Sequence, residues 1–140
     1  REYVENSGRP YTFGDLEHIA EKQFELDREY SLRGDGYIFF DTYYYITKVW
    51  FLVKYGRCPG WFLKEIDRHR VDFFLLCAPD IPWVDDPVRE NGGERRDHLF
   101  RCYKREIIAG GYPFVVISGK GEERVRMAEE AVRRLEVKMK

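Results

Sequence analysis

The stretch VDFFLLCAPDIPWVDDPVRENGGERRDHLF, residues 71–100, passes from an apolar block through a charged loop into a helical pattern. VDFFLLCA (71–78) has no alternation of apolar and polar residues, the pattern of a strand covered on both faces, and it places Cys77 in a core strand. DIPWVDDPVRENGGERR (80–96) gathers five acids, three arginines, a tryptophan and a glycine pair. HLFRCYKREIIAGG (98–111) then reads as a helix with a glycine stop. Strand, charged loop and helix in that order are one half of a βαβ unit, and this decides the fold class.

The same alternation continues on either side. YPFVVISG (112–119) is a second buried strand, and GEERVRMAEEAVRRLEVKMK (121–140) is a helix. Its Val125, Ala128, Val132 and Leu135 form one apolar stripe, and its charge order, acids first and bases last, suits the helix dipole. Upstream, GYIFFDT (36–42) is short, aromatic and β-branched and is predicted as a buried strand. TYYYITKVWFLVKYG (42–56) is too long for a strand; Tyr43, Ile46, Val49, Trp50 and Val53 fit one helical face, with Gly56 as its stop. WFLKEIDRHR (61–70) predicts a shorter helix. Thr12 with Asp15 three positions on is a capping-box-like start. Leu16, Ile19, Ala20, Gln23, Phe24 and Asp27 follow at helical spacing and end near SLRGDG (31–36).

Strands alternating with helices predict an α/β fold, a parallel sheet with helices on both faces, in a single domain over residues 1–140. Three strands are few for a doubly wound sheet. The chain also opens on Arg1 with a segment, REYVENSGRPYT, that reads as domain interior. An N-terminal strand with its loop and helix is therefore expected to precede these residues.

Of the 140 residues 35 % are charged, yet 24 basic and 25 acidic side chains nearly cancel, to a net −1. That balance gives no global pull toward nucleic acid or a membrane surface. Cys58, Cys77 and Cys102 are odd in number, widely spaced and without a CxxC pair, which suits a reducing cytoplasm and argues against disulfides or a zinc knuckle. His18, His69 and His98 lack metal-binding spacing. No apolar run reaches the length of a spanning helix, and no signal peptide is visible.

Four places carry candidate chemistry. Asp41 closes an apolar strand, and ligands of open α/β sheets gather at the carboxyl ends of strands. It has two readings: an acid that holds Mg²⁺ or accepts a proton from an attacking hydroxyl, or an N-cap for the helix that follows. Arg89, Arg95 and Arg96 flank a glycine pair just past a strand end. They read as phosphate-clamping cations on a closing loop, or as a surface loop neutralised by Asp85, Asp86, Glu90 and Glu94. ISGKGEER (117–124) falls short of the phosphate-loop pattern GxxxxGK[ST], and its glycines read as the turn into the last helix. In the YYY run of 43–45, Tyr44 has a face toward a ligand as one option and helix packing as the other.

IFFDTYYYITKVWFLVKYG, DFFLLCAPDIPWVDDPVRENGGERRDHLF and REYVENSGRPYT together resemble the nicotinamide-riboside kinase domain of bacterial NadR-like proteins. They also resemble the related P-loop ATP-binding group known as AAA-type domains. The strand ending in DT and the helix with T-x-V-W match Asp41, Thr42, Thr47, Val49 and Trp50; the family's PDIPWVDDGLR lid matches residues 79–89, with Pro87 and Val88 in place of Gly-Leu. The resemblance implies an ATP- and Mg²⁺-dependent kinase that phosphorylates the 5′-hydroxyl of a small pyridine nucleoside in the cytoplasm. In that likeness Asp41 is the acid beside the reacting hydroxyl and Mg²⁺, and Arg89, Arg95 and Arg96 are lid cations. Arg1, Glu2 and Tyr3 lie beside the acceptor, and Trp83 and Asp86 shape the lid. The family's GxxxxGK[ST] loop is absent from these residues, so the resemblance implies a longer parent that binds ATP and a chain that does not turn it over alone. A regulatory nucleotide-binding role and a purely structural role are the alternatives.

Overall fold

A computed structural model describes residues 11–34, 36–82 and 94–139. The chain divides into two compact units, residues 1–70 and 71–140.

In the first unit three helices surround an aromatic core. Helix α1 is Phe13–Ser31 and starts at a complete capping box: Thr12 Oγ1 accepts from the Asp15 amide at 3.3 Å, and the Thr12 amide donates to Asp15 Oδ2 at 2.8 Å. Two orphan amides of the first turn are thereby satisfied. The expected stripe is the buried face, with Leu16, Ala20, Phe24 and Asp27 enclosed. Helix α2, Tyr44–Tyr55, ends at Gly56, whose φ of 71° suits a residue without Cβ and lets its amide reach the Leu52 carbonyl at 3.0 Å. Helix α3 is Gly60–Arg68. Phe62 of α3 meets Phe24 of α1 and Phe51 of α2 at centroid separations of 5.4 and 5.5 Å. Offset and tilted contacts of this kind are the favoured aromatic geometries.

In the second unit β1 (Phe74–Cys77) and β2 (Phe114–Ile117) pair in parallel, Phe74 opposite Phe114 and Cys77 opposite Ile117. Helix α4, Glu94–Ala109, connects them and packs on β1; helix α5, Glu122–Met139, packs on β2. Parallel strands need such a crossover. Among the described residues of this unit, Leu76, Leu99, Ile107, Ile117 and Ala131 are buried.

Several expectations are corrected. Residues 36–42 form no strand, and Tyr37, Ile38, Phe39 and Phe40 are all exposed, Phe39 by 70 %. A strand's hydrogen bonds come from a neighbouring strand, and the first unit consists of helices among its described residues. Two strands, not three, are therefore present among the described residues. On α2 the buried face carries Tyr44, Thr47, Val49 and Phe51, while Val53 is exposed, because α2 packs against both α1 and α3. On α5 Ala131 is the buried residue and Val125 is exposed, so the stripe is rotated toward β2. Cys77 is exposed at the end of β1 rather than in the core. Helix α4 begins at Glu94, four residues before its expected start, with Glu94 and Asp97 in the first turn, where negative charge is favoured.

Candidate functional site

The turn into α2 carries Asp41. Thr42 has a φ of 69°, the one non-glycine residue at positive φ among those described. For a β-branched residue this is a strained backbone, costing about 1–3 kcal/mol, and it persists only where surrounding contacts over-determine it. Those contacts are visible. Gln23 Nε2, from α1, donates to the Thr42 carbonyl at 3.0 Å, and Thr47 Oγ1, from α2, donates to Gln23 Oε1 at 2.8 Å. Because a hydroxyl must donate into the Gln23 oxygen, its NH₂ is turned toward Thr42.

The N-cap of α2 is Tyr43, with no side-chain cap bond, so Asp41 does not cap the helix. Its carboxylate is exposed and makes no hydrogen bond or ion pair among the described residues. Tyr44, expected toward a ligand, is instead 2 % exposed and donates its hydroxyl to Asp27 Oδ2. Burial, then that hydrogen bond, pushes the Tyr44 phenol far above its usual range, so it stays protonated. Asp27 also accepts from Ser31 Oγ at 3.0 Å and lies 2.9 Å from His69 Nδ1.

In the second unit the loops leaving β1 and β2 are tied together at the carboxyl ends of the strands. Asp80 Oδ2 accepts from the Gly119 amide at 2.7 Å and Asp80 Oδ1 from Arg124 Nη1 at 2.5 Å. Arg124 also donates to the carbonyls of Gly119 at 3.2 Å and Ala78 at 3.1 Å. The Gly119 amide first, and Arg124 with it, holds the Asp80 carboxyl below its ordinary pKa. A Cβ on Gly119 would come within 2.5 Å of Glu123 Oε2, and its φ of 91° disfavours any side chain.

Arg96 is placed by the same loop: Nη1 donates to the Ile81 carbonyl at 2.7 Å and Nη2 to the Pro79 carbonyl at 3.4 Å. Its neighbour Arg95 is exposed, with no hydrogen bond or ion pair among the described residues. Arg1, Glu2, Tyr3, Trp83, Asp86 and Arg89 lie outside the described residues. Sequence reasoning singled out neither the Gln23–Thr47 pair nor Asp80 with Arg124. The available signal was polar residues within an apolar helical stripe, Gln23 and Asp27, whose hydrogen-bonding groups must find partners when packed.

Among the described residues no group of three or more His, Cys, Asp or Glu is arranged to hold a metal ion. No helix is long and apolar enough to cross a membrane. A parallel strand pair joined through a helix, with polar loops at the carboxyl ends of its strands, is compatible with a P-loop-like nucleotide-binding fold. The chain matches the family described as AAA domain over residues 1–124 and belongs to it, an AAA, P-loop NTPase-type domain. Domains of this kind generally bind nucleotide with Mg²⁺. No curated protein and no solved structure matches the chain.

Proposed function

We propose that this domain serves an ATP-dependent kinase that moves the γ-phosphate of ATP to the hydroxyl of a small nucleoside, of which nicotinamide riboside is the type. The observation that carries the reading is Asp41: an exposed carboxylate with no described partner, following an apolar segment and preceding a strained residue, in a P-loop NTPase-type chain. Strained backbone concentrates at functional sites, and a carboxylate without a partner is available to a ligand.

Mg²⁺ suits this donor set. It is held typically by one or two carboxylates, with phosphate oxygens and waters completing the octahedron, and needs no all-protein cage. Asp41 is the residue that would hold it or accept the proton of the attacking hydroxyl; when bound, the ion neutralises phosphate charge. Arg95 is a cation open to a phosphate oxygen, and Arg89 and Arg96 complete the lid set carried over from the family likeness. Arg1, Glu2, Tyr3, Trp83 and Asp86 are proposed on that likeness alone, as acceptor-side and lid residues. The phosphate-cradling loop GxxxxGK[ST] does not occur in these 140 residues, so the reaction is a property of the polypeptide that supplies one.

Steady-state phosphorylation of nicotinamide riboside by that full polypeptide tests the reading. Activity is expected, with Asp41→Asn lowering kcat at least a hundredfold, as loss of a general base does. ATP binding without phosphorylation of any nucleoside in a panel would sink the kinase reading and leave a regulatory nucleotide site.

A further inference from the structure

We infer that Gln23 is a positioning residue for Asp41, acting through the backbone of Thr42; the inference rests on the reading of Asp41 given above. Gln23 lies on α1, on the face that packs against α2, 18 positions before Asp41 in sequence (41 − 23). Its amide is fixed at both ends: the oxygen receives the Thr47 hydroxyl at 2.8 Å and the nitrogen donates to the Thr42 carbonyl at 3.0 Å. Thr47 is itself 4 % exposed, so the anchor of this clamp is part of the packed interior.

The clamp grips the residue whose backbone torsion decides where Asp41 stands. The Thr42 carbonyl is held from α1, and α2 begins two residues later, which leaves φ of Thr42 as the torsion that aims the preceding chain. That φ is 69°. Relaxation to an ordinary right-handed value near −65° would rotate the chain before Thr42 by about 130° around its N–Cα bond. Asp41 is the first side chain on the moving side. A threonine released from its contacts would relax, since a left-handed β-branched residue is unfavourable. Gln23 therefore stores the aim of the carboxylate in a strained turn and touches neither metal nor substrate itself.

Two variants remove the clamp without adding charge. Gln23→Leu deletes both hydrogen bonds at similar volume, and Thr47→Val deletes only the bond that orients the amide. The structural readout is the one-bond Cα–Hα coupling of Thr42 in the labelled full chain, which separates positive from negative φ. Expected are a positive-φ value in the wild type, a negative-φ value in Gln23→Leu and a mixture in Thr47→Val. The functional readout is phosphoryl transfer: Gln23→Leu is expected to lower kcat about tenfold with KM for ATP within twofold. Adding Gln23→Leu to Asp41→Asn should cost nothing more, because the clamp acts only through that acid. Thr42 keeping its positive φ in both variants overturns the inference, as does an undiminished kcat in Gln23→Leu while Asp41→Asn abolishes transfer. Transfer that survives Asp41→Asn overturns the reading of Asp41 instead, and the inference falls with it.

Discussion

Tyr44→Phe isolates one hydrogen bond in the densest part of the first unit. The ring itself is unchanged by this substitution, so its contacts with Phe24 at 4.3 Å and with the His69 ring at 5.2 Å persist. What is lost is the hydroxyl that donates to the Asp27 carboxylate, 8 % exposed. A hydrogen bond to a charged group contributes about 1.5–3 kcal/mol. Asp27 keeps two neighbours, Ser31 Oγ at 3.0 Å and His69 Nδ1 at 2.9 Å, which limits the damage to the middle of that range. The expected loss is about 2 kcal/mol, and a chain of 140 residues shifts its Tm by about 3–4 °C per kcal/mol, so the drop is about 6–8 °C. Asp27→Ala removes the acceptor from all of its donors at once and should cost more than Tyr44→Phe, because it leaves the buried Tyr44 hydroxyl without a partner. Urea unfolding followed by circular dichroism measures both, and the Tyr44→Phe, Asp27→Ala cycle should return a coupling of at least about 1 kcal/mol. A Tyr44→Phe loss under about 0.5 kcal/mol, or no coupling in the cycle, refutes the argument that this carboxylate is held by the phenol.

The same phenol makes a prediction for alkaline solution. Its folded pKa is raised above the ordinary value of 10.0, so as pH climbs past 10 the unfolded chain ionises first and stability falls; Tyr44→Phe should flatten that decline in alkaline urea titrations. At the acid end the sign reverses. Asp80 is held below its ordinary 3.8, so its contribution is present above that pH and is lost as pH falls through the lower folded value; Asp80→Asn should show a smaller change in urea midpoint between about pH 5 and 2. Thr12→Ala removes the hydroxyl cap of α1 and should cost about 1 kcal/mol in urea unfolding; a change within error would mean that the Asp15 half of the box suffices. Arg95→Ala should lower phosphoryl transfer and leave Tm unchanged, whereas Arg96→Ala, which releases the Pro79 and Ile81 carbonyls, should lower both. Equal Tm losses in the two would show that the charges are structural alike.

The helices were legible because their signals are short-range. The Thr12–Asp15 box, the 3.6-residue stripe through Leu16, Ala20, Phe24 and Asp27, and the glycine at 56 all act within a few residues of the chain. They located α1 and α2 to within about two residues. The blocks around Phe74 and Phe114 were legible as strands for a different reason: each finds its partner in the other, across the helix that separates them. GYIFFD is likewise apolar and aromatic, and it pairs with no strand among the described residues. Strand propensity describes fit to a sheet and does not supply one.

The candidate site divides along the same line. That Asp41 follows an apolar run, and that Arg95 and Arg96 follow a glycine pair, can be read from residue order alone. What Asp41 does with its carboxylate cannot, because capping depends on where the helix starts, and the helix starts at Tyr44 with Tyr43 as its N-cap. Residue order likewise treats Arg95 and Arg96 as twins. In space they differ, since Arg96 reaches the Ile81 carbonyl while Arg95 points to no described partner. Composition and periodicity thus establish the α/β class, the helices and the sign of each candidate charge, because those depend on neighbours along the chain. Which polar group meets which depends on contacts such as Gln23 with Thr42 and Asp80 with Gly119, 19 and 39 residues apart, and these exist only once the chain has packed.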